Sequence, residues 1–283
     1  MKIDNWVILI VLFLVIFDIF IWAEILFNGP NKNAELYFLD VGQGDAELVV
    51  LPGGVKILID GGPDNRILNQ LSSILSPFNR YVDLVVLSHP QTDHFTGLIE
   101  VLKRYQAGVF ISNGQKGQAQ SFKDLEKAIQ ENKIRTAALS EGDKIIYQDT
   151  YFEILSPSKD LLFNNDLNEA ALVIKLDAQG AKALFTGDVG AAIENYLLQK
   201  YNLDIDVLKV AHHGSRFSSS EKFLDNTSPK IAVIEVGKNS YGHPTTEVLN
   251  KLASIGAQIF RTDNDGMIKL VVGNAQISIF KKK

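Results

Sequence analysis

A mixed α/β domain with two sheets and outer helices, preceded by one hydrophobic helix, is the architecture that the sequence predicts. Three observations predict it. Short β-rich runs and helical patterns interleave from Glu35 onward with no linker between them. The runs are bounded by Gly, Pro and Asp turn signals. All five histidines fall in three short loops that follow or adjoin expected strands, where α/β folds gather their ligand-binding loops.

The elements follow in order. From Trp6 to Phe27 the chain is apolar except at Asp18, Ala23 and Glu24, long enough for the ~20 residues that cross a bilayer as a helix. One carboxylate near the middle costs roughly 2.5 to 3.5 kcal/mol on insertion, which the surrounding Ile, Leu, Val and Phe offset. The run is longer than a signal-peptide core and no small-x-small site closes it, so an uncleaved anchor is expected. Lys2 precedes it, and positive-inside reasoning then puts the N-terminus in the cytoplasm and the domain outside. The expected partition is an anchor over 1–28, a linker over 29–34 and one domain over 35–283.

Within the domain, strands are expected in ELYFLDV up to Val41, in Glu47–Leu51 and in VKILID up to Asp60. A helix over Asn65–Leu75 leads to the apolar strand Asp83–Ser88. Helices are expected at Phe122–Asn132, Ala191–Lys200 and Thr245–Ile255, and strands at Ala181–Thr186, Asp206–Val210 and Lys230–Glu235. The β-rich start and end leave room for two similar halves.

Composition narrows the chemistry. With 46% apolar and 22% charged residues the chain is ordinary globular protein outside its N-terminus. A formal charge of −5 excludes a uniformly basic surface, so an anionic substrate would need a local patch or a metal. The absence of cysteine removes disulfides and thiolate zinc sites, leaving His, Asp and Glu as strong ligands.

His89 and His94 lie in LSHPQTDHFTGL, His212 and His213 in VLKVAHHGSRFSS, and His243 in NSYGHPTTEVL. In the first loop a turn after a strand lets His89, Asp93 and His94 face one cavity, with a helix beginning near Thr96 to hold them. ALFTGDV places Asp188 just past another strand. The glycines of FLDVGQGD and ILIDGG read first as turn residues, and Asp40 and Asp45 as braces of that loop; Gly114–Gln118 lacks P-loop spacing and reads as a surface loop.

Taken in order, FLDVGQGD (Phe38–Asp45), ILIDGG (Ile57–Gly62), the His89–His94 loop, LFTGDV (Leu184–Val189), LKVAHHGS (Leu208–Ser215) and YGHP (Tyr241–Pro244) resemble the metallo-β-lactamase superfamily. Within it they look like the extracytoplasmic hydrolase domain of the ComEC competence family. The resemblance implies an αββα sandwich and a metal-dependent hydrolase. It implies that Asp93, His94, Asp188 and His212 form one metal site, with His89 and Asp188 in its neighbour and Asp60 as support behind them. Where the superfamily has His or Asp this chain has Gln91, whose neutral carbonyl is a poorer ligand; no further His completes that site around Asn168–Leu172. One or two divalent ions, Zn or Mn, fit these ligand types. Asp93 belongs with His213 and His243 as the catalytic groups, and Ser215 and His243 as contacts for an anionic substrate.

The resemblance points to phosphodiester hydrolysis, with single-stranded DNA as substrate; cell-wall phosphodiesters come next and β-lactams after them. One span cannot itself move DNA across a membrane, so a separate channel subunit is the expected partner besides the bilayer at residues 6–27. The alternative is an anchored metal- or nucleic-acid-binding protein whose catalysis is weakened at Gln91.

Overall fold

The computed structural model describes residues 4–27, 32–163, 166–273 and 276–283; the first half of the expected linker, 29–31, lies outside them. Helix α1 (Asn5–Phe27) is apolar on every face, with a mean hydropathy of 2.9 over Asn5–Ala23 and none of that window buried. It is long and apolar enough to span a membrane.

The domain begins with β1 (Ala34–Phe38), β2 (Glu47–Val50) and β3 (Lys56–Ile59), an antiparallel meander. Helix α2 (Arg66–Ile74), β4 (Tyr81–Val86), α3 (Thr92–Arg104), β5 (Gln106–Ser112), α4 (Phe122–Glu131) and β6 (Arg135–Ala138) continue it as a parallel array. The second half repeats that plan. Antiparallel β7 (Lys144–Tyr147), β8 (Thr150–Ser156), β9 (Val173–Ala178) and β10 (Ala181–Phe185) give way to α5 (Ala191–Lys200), β11 (Val207–Lys209), α6 (Glu221–Thr227), β12 (Ile231–Ile234), α7 (Thr246–Ser254) and β13 (Gln258–Arg261), in which the strands are parallel. A one-turn helix α8 (Thr262–Asp265) then sends β14 (Met267–Gly273) and β15 (Gln276–Lys282) back to the first sheet. The sheet orders are β15-β14-β1-β2-β3-β4-β5-β6 and β13-β12-β11-β10-β9-β8-β7.

Side-chain alternation along the strands assembles the layers. In β3, Ile57 and Ile59 face the second sheet, meeting Phe152, Ile174 and Phe185, while Leu58 faces α2 and α3. On the other sheet Leu184 and Leu208 face Ile193, Leu197, Phe223 and Leu252 of the outer helices. Three apolar layers thus lie between four structural ones, the αββα sandwich. Each large side chain buried this way, Phe95 for example, contributes about 1.5 to 3 kcal/mol.

Helix α3 starts at Thr92, four residues before the expected Thr96. Gln91 is extended, and its carbonyl accepts from the N–H groups of His94 and Phe95 at 3.0 and 3.1 Å, so the helix begins at once and carries Asp93 and His94 in its first turn. That turn lies against the IDGG loop because Gly61 and Gly97 lack side chains: a Cβ on Gly97 would stand 1.9 Å from the Gly61 carbonyl oxygen. Gly61 N–H donates to His94 O at 2.7 Å and Gly97 N–H to Gly62 O at 2.9 Å. The parallel strands of both sheets end on one rim, where Asp60, His89, Asp188, His213 and Glu235 meet.

Candidate metal centre

Three histidines are each held through Nδ1. His213 Nδ1–H donates to the Glu235 carbonyl at 2.8 Å; a carbonyl only accepts, so in the neutral ring Nε2 keeps its lone pair for the cleft. His94 Nδ1 is bound to Asp60 Oδ2 at 2.8 Å. Ser88 Oγ donates to Asp60 Oδ2 at 2.6 Å and so accepts from His89 Nδ1 at 3.0 Å. The Nε2 atoms of His89, His94 and His213 are buried and without a hydrogen-bond partner. Such orphans call for a partner; those of His94 and His213 belong to one group of ligand atoms, and that of His89 stands outside it.

Carboxylates complete the group. His94 Nε2 lies 3.4 Å from Asp188 Oδ2, and His213 Nε2 lies 3.7 Å from the same oxygen and 3.4 Å from Asp93 Oδ2. Ligand atoms of Asp93, His94, Asp188 and His213 all fall within 4.8 Å of one another. The donor set suits a divalent cation: two imidazoles and two carboxylates, each imidazole oriented from behind by a carboxylate or carbonyl. The group is able to bind metal.

The electrostatics agree. Burial opposes ionisation of Asp93, but the charges on His94 and His213 outweigh it and bring its carboxyl down to about 2. Burial likewise opposes charging of His94 and His213, yet Asp188 and its neighbours hold His94 well above the usual imidazole range and His213 up to about 10. A cation competing for those Nε2 atoms displaces the protons. His89 behaves oppositely: burial, then the charge on His94, lower it to about 3.

The turn that delivers His213 is unusual. After β11 the chain makes a short 3₁₀ turn at Ala211–Gly214, with φ of 51° at His212 and 53° at His213. Left-handed backbone at two adjacent non-glycine residues costs of order 1 to 3 kcal/mol each and is characteristic of functional sites. It aims the two imidazoles apart. His213 is buried among Asp45, Asp93 and Asp188, whereas His212 is partly exposed with Nε2 3.9 Å from Asp188 Oδ2.

His212 and His243 stand in the wall of an open cleft of about 470 Å³, with Gln43, Gln91, Thr92, Asp93, Asp188, His213 and Tyr241. Their rings are 5.8 Å apart, and burial followed by the charges of His212 and His213 lowers His243 below its usual range. Gln91 donates its amide to Asn168 Oδ1, which leaves its carbonyl oxygen free of that contact. Asp60 is buried behind the group and also accepts from Ser88 N–H at 2.8 Å. Ser215 is buried under the 3₁₀ turn, its hydroxyl accepting from Phe217 N–H at 3.3 Å; it is not among the cleft-lining residues.

Sequence reasoning missed the support beneath. Lys209, at the end of β11, is fully buried; its ammonium contacts Asp45, donates to the Gly187 carbonyl at 3.3 Å and lies 4.0 Å from Asp188 Oδ1. Asp45, taken only as a loop brace, stands 3.2 Å from His213 Nδ1 and 3.8 Å from His94 Nδ1. Glu47 and Glu235 are buried beside it, and burial raises Glu235 to about 7. A lone Lys inside the apolar run VLKVA was the available signal, since a strand residue with buried neighbours on both sides has no route to snorkel.

The model of the metallo-beta-lactamase superfamily matches residues 39–237. The chain belongs to this superfamily. It is 30% identical over 259 residues to ComE operon protein 3 of Bacillus subtilis, covering 84% of this chain and 33% of that protein. It is 30% identical over 272 residues to competence protein ComA of Neisseria gonorrhoeae, covering 90% and 36%. The chain therefore spans about a third of the length of these relatives. Among solved structures, the metallo-beta-lactamase fold protein YhfI of Bacillus subtilis superposes with a TM-score of 0.56 at 9% identity, covering 82% of this chain and 97% of YhfI. That likeness carries the fold, and the superfamily with its His/Asp group supports a metal-dependent hydrolase in general.

Proposed function

We propose that the chain is a membrane-anchored, metal-dependent phosphodiesterase acting on single-stranded DNA. The observation that carries the reading is the quartet Asp93, His94, Asp188 and His213, gathered at the floor of an open cleft. The quartet would hold the ion, with His212 as a further donor on the open side and His89 with Gln91 toward a second position. A bound divalent ion supplies a water of lowered pKa and polarises the bond under attack.

The protein's own groups divide the remaining work. Asp60 and the Glu235 carbonyl fix the ring orientations of His94 and His213. Asp93 and Asp188, ionised at neutral pH, favour the cation and can accept a proton from water drawn against them. His243, lowered below its usual range and set in the wall, faces the place of a phosphate and its leaving oxygen. DNA is favoured as substrate because a relative over 90% of this chain is named a competence protein. Residues 1–28 serve as anchor, 29–34 as linker and 35–283 as the hydrolase, outside the cytoplasm and beside a separate channel subunit.

The test is hydrolysis of bis-p-nitrophenyl phosphate and of a labelled single-stranded oligonucleotide by the purified full chain with Mn²⁺ or Zn²⁺. Turnover abolished by chelator and reduced at least 10²-fold by Asp93→Ala is expected. No turnover with any divalent ion, beside measurable metal binding, would overturn the enzyme reading in favour of an anchored binding protein.

A further inference from the structure

The rim opposite the metal centre carries a patch that the centre does not use. Between α2 and β4 the chain turns through Ser76, Pro77, Phe78, Asn79 and Arg80; Phe78 is 98% exposed and Tyr81 42%. The end of α3 adds Lys103, Arg104 and Tyr105, and the start of β6 adds Lys133 and Arg135. All share one rim because β4, β5 and β6 are parallel and begin there. Gln106 N–H donates to the Arg80 carbonyl at 2.8 Å and the Asn132 amide to the Leu102 carbonyl at 3.1 Å, which fixes the turns to one another.

The charge on this rim is largely uncompensated. Lys103 is paired with Glu100 at 2.7 Å. Among the described residues, Arg80, Arg104, Lys133 and Arg135 have no carboxylate within 4.0 Å. The nearby acids are engaged elsewhere: Asp83 accepts from Lys56 N–H at 2.8 Å, and Glu131 pairs with Lys127 at 3.7 Å.

The apolar N-terminal helix is tied to the same rim. β1 enters its sheet there, and the Gln179 side chain accepts from Ala34 N–H at 2.7 Å and donates to the Lys32 carbonyl at 2.8 Å. From Phe27 to Lys32 the chain can extend at most about 18 Å. From β1 to β4 is three strand spacings, about 14 Å. If α1 crosses a bilayer, this rim is held near the bilayer surface.

We propose that the rim seats on the bilayer that α1 crosses. Phe78 enters the interfacial layer, Tyr81 and Tyr105 lie at headgroup depth, and the four unpaired cations contact the phosphates of anionic lipids. This rests on the reading of α1 as a span. It turns the cleft away from the membrane, since Tyr81 and Ser88 lie at opposite ends of a strand run about 25 Å long. Basic and aromatic side chains also suit single-stranded nucleic acid; the short tether and a phenyl ring standing free in solvent favour lipid.

The chain has no cysteine, so Leu14→Cys, Asn79→Cys and Ser240→Cys each accept one environment-sensitive fluorophore. The full chain is reconstituted in phosphatidylcholine vesicles containing one-third phosphatidylglycerol, with nitroxide-labelled lipid as quencher. Labels at 14 and 79 are expected to be quenched and the label at 240, beside the cleft, to stay unquenched. Adding Arg80→Glu and Arg104→Glu is expected to reduce quenching at 79 several-fold and leave it unchanged at 14. Quenching at 14 but not at 79 overturns the seat and leaves the anchor standing; none at 14 overturns the anchor and the seat with it. A response at 79 to an added oligonucleotide, without lipid quenching there, makes the rim a nucleic-acid surface and also overturns the proposal.

Discussion

Replacing Lys209 by Met keeps most of the side-chain volume and removes the buried cation. Asp45 then loses its contact and Asp188 Oδ1 loses a charge at 4.0 Å, while Glu47 and Glu235 remain buried alongside. Removing one member of a buried ion pair costs about 3 to 5 kcal/mol, because the partner is left desolvated and unpaired. With a urea slope near 3 kcal/mol/M for a domain of this size, the midpoint should fall by roughly 1 to 1.7 M. Far-UV circular dichroism of the full chain in mild detergent reads it, since both tryptophans, Trp6 and Trp22, lie in α1 and would miss unfolding of the domain. Combining Lys209→Met with Asp45→Asn should recover at least 1 kcal/mol as a coupling energy. A single variant within about 0.5 kcal/mol of the parent would refute the view that Lys209 carries the charge balance beneath the centre.

Elemental analysis after reconstitution should find one ion per chain in the parent and two in Gln91→His; two in the parent would show that Gln91 suffices as a ligand. Metal affinity should rise with pH between 6 and 8, about tenfold or more per unit, because binding displaces protons from His94 and His213; isothermal titration at three pH values checks this, and a flat profile refutes it. For the metal-free fold the sign runs the other way: His213 at about 10 in the folded chain contributes stability that is complete below its unfolded value near 6.5 and is lost as pH rises through 10, visible as a falling Tm. Gly97→Ala should cost at least about 3 kcal/mol, since its Cβ would sit 1.9 Å from the Gly61 oxygen, and a Tm within a few degrees of the parent would refute the close approach. Ser88→Ala removes the hydroxyl between Asp60 and His89 and should weaken metal binding about 10 to 100-fold.

The fold was readable because its strands are short, apolar and separated by turn residues. Helix α5 occupies the residues its pattern indicates, Ala191–Lys200, α4 ends one residue early, and α2 and α7 are one residue shorter at each end. The start of α3 was not readable: periodicity sees the buried Phe95, Leu98 and Leu102, whereas the first turn is set by the extended backbone of Gln91 and by the IDGG loop across from it. At the site, residue type and loop position brought together His89, Asp93, His94, Asp188 and the His212–His213 pair. Spacing could not say which of the adjacent histidines points inward. That depends on the left-handed backbone of both and on the Glu235 carbonyl, which belongs to another strand. Lys209, Glu47 and Glu235 were hidden for the same reason, since their meeting is made by tertiary packing of two sheets.

The return of β14 and β15 to the first sheet governs when this domain can come into being. β1 lies between β2 and β14, and Ala34 is opposite Val272, so the domain's first strand waits for almost its last. Until then its free edge is open to any other extended chain, and closing so long a loop makes the search slow. A ribosome releasing this domain holds an unfinished sheet until β14 has emerged. Losing the last seventeen residues would then mean more than a lost hairpin: β1, in the middle of the sheet, would become an edge, and aggregation rather than a trimmed domain is the expected product.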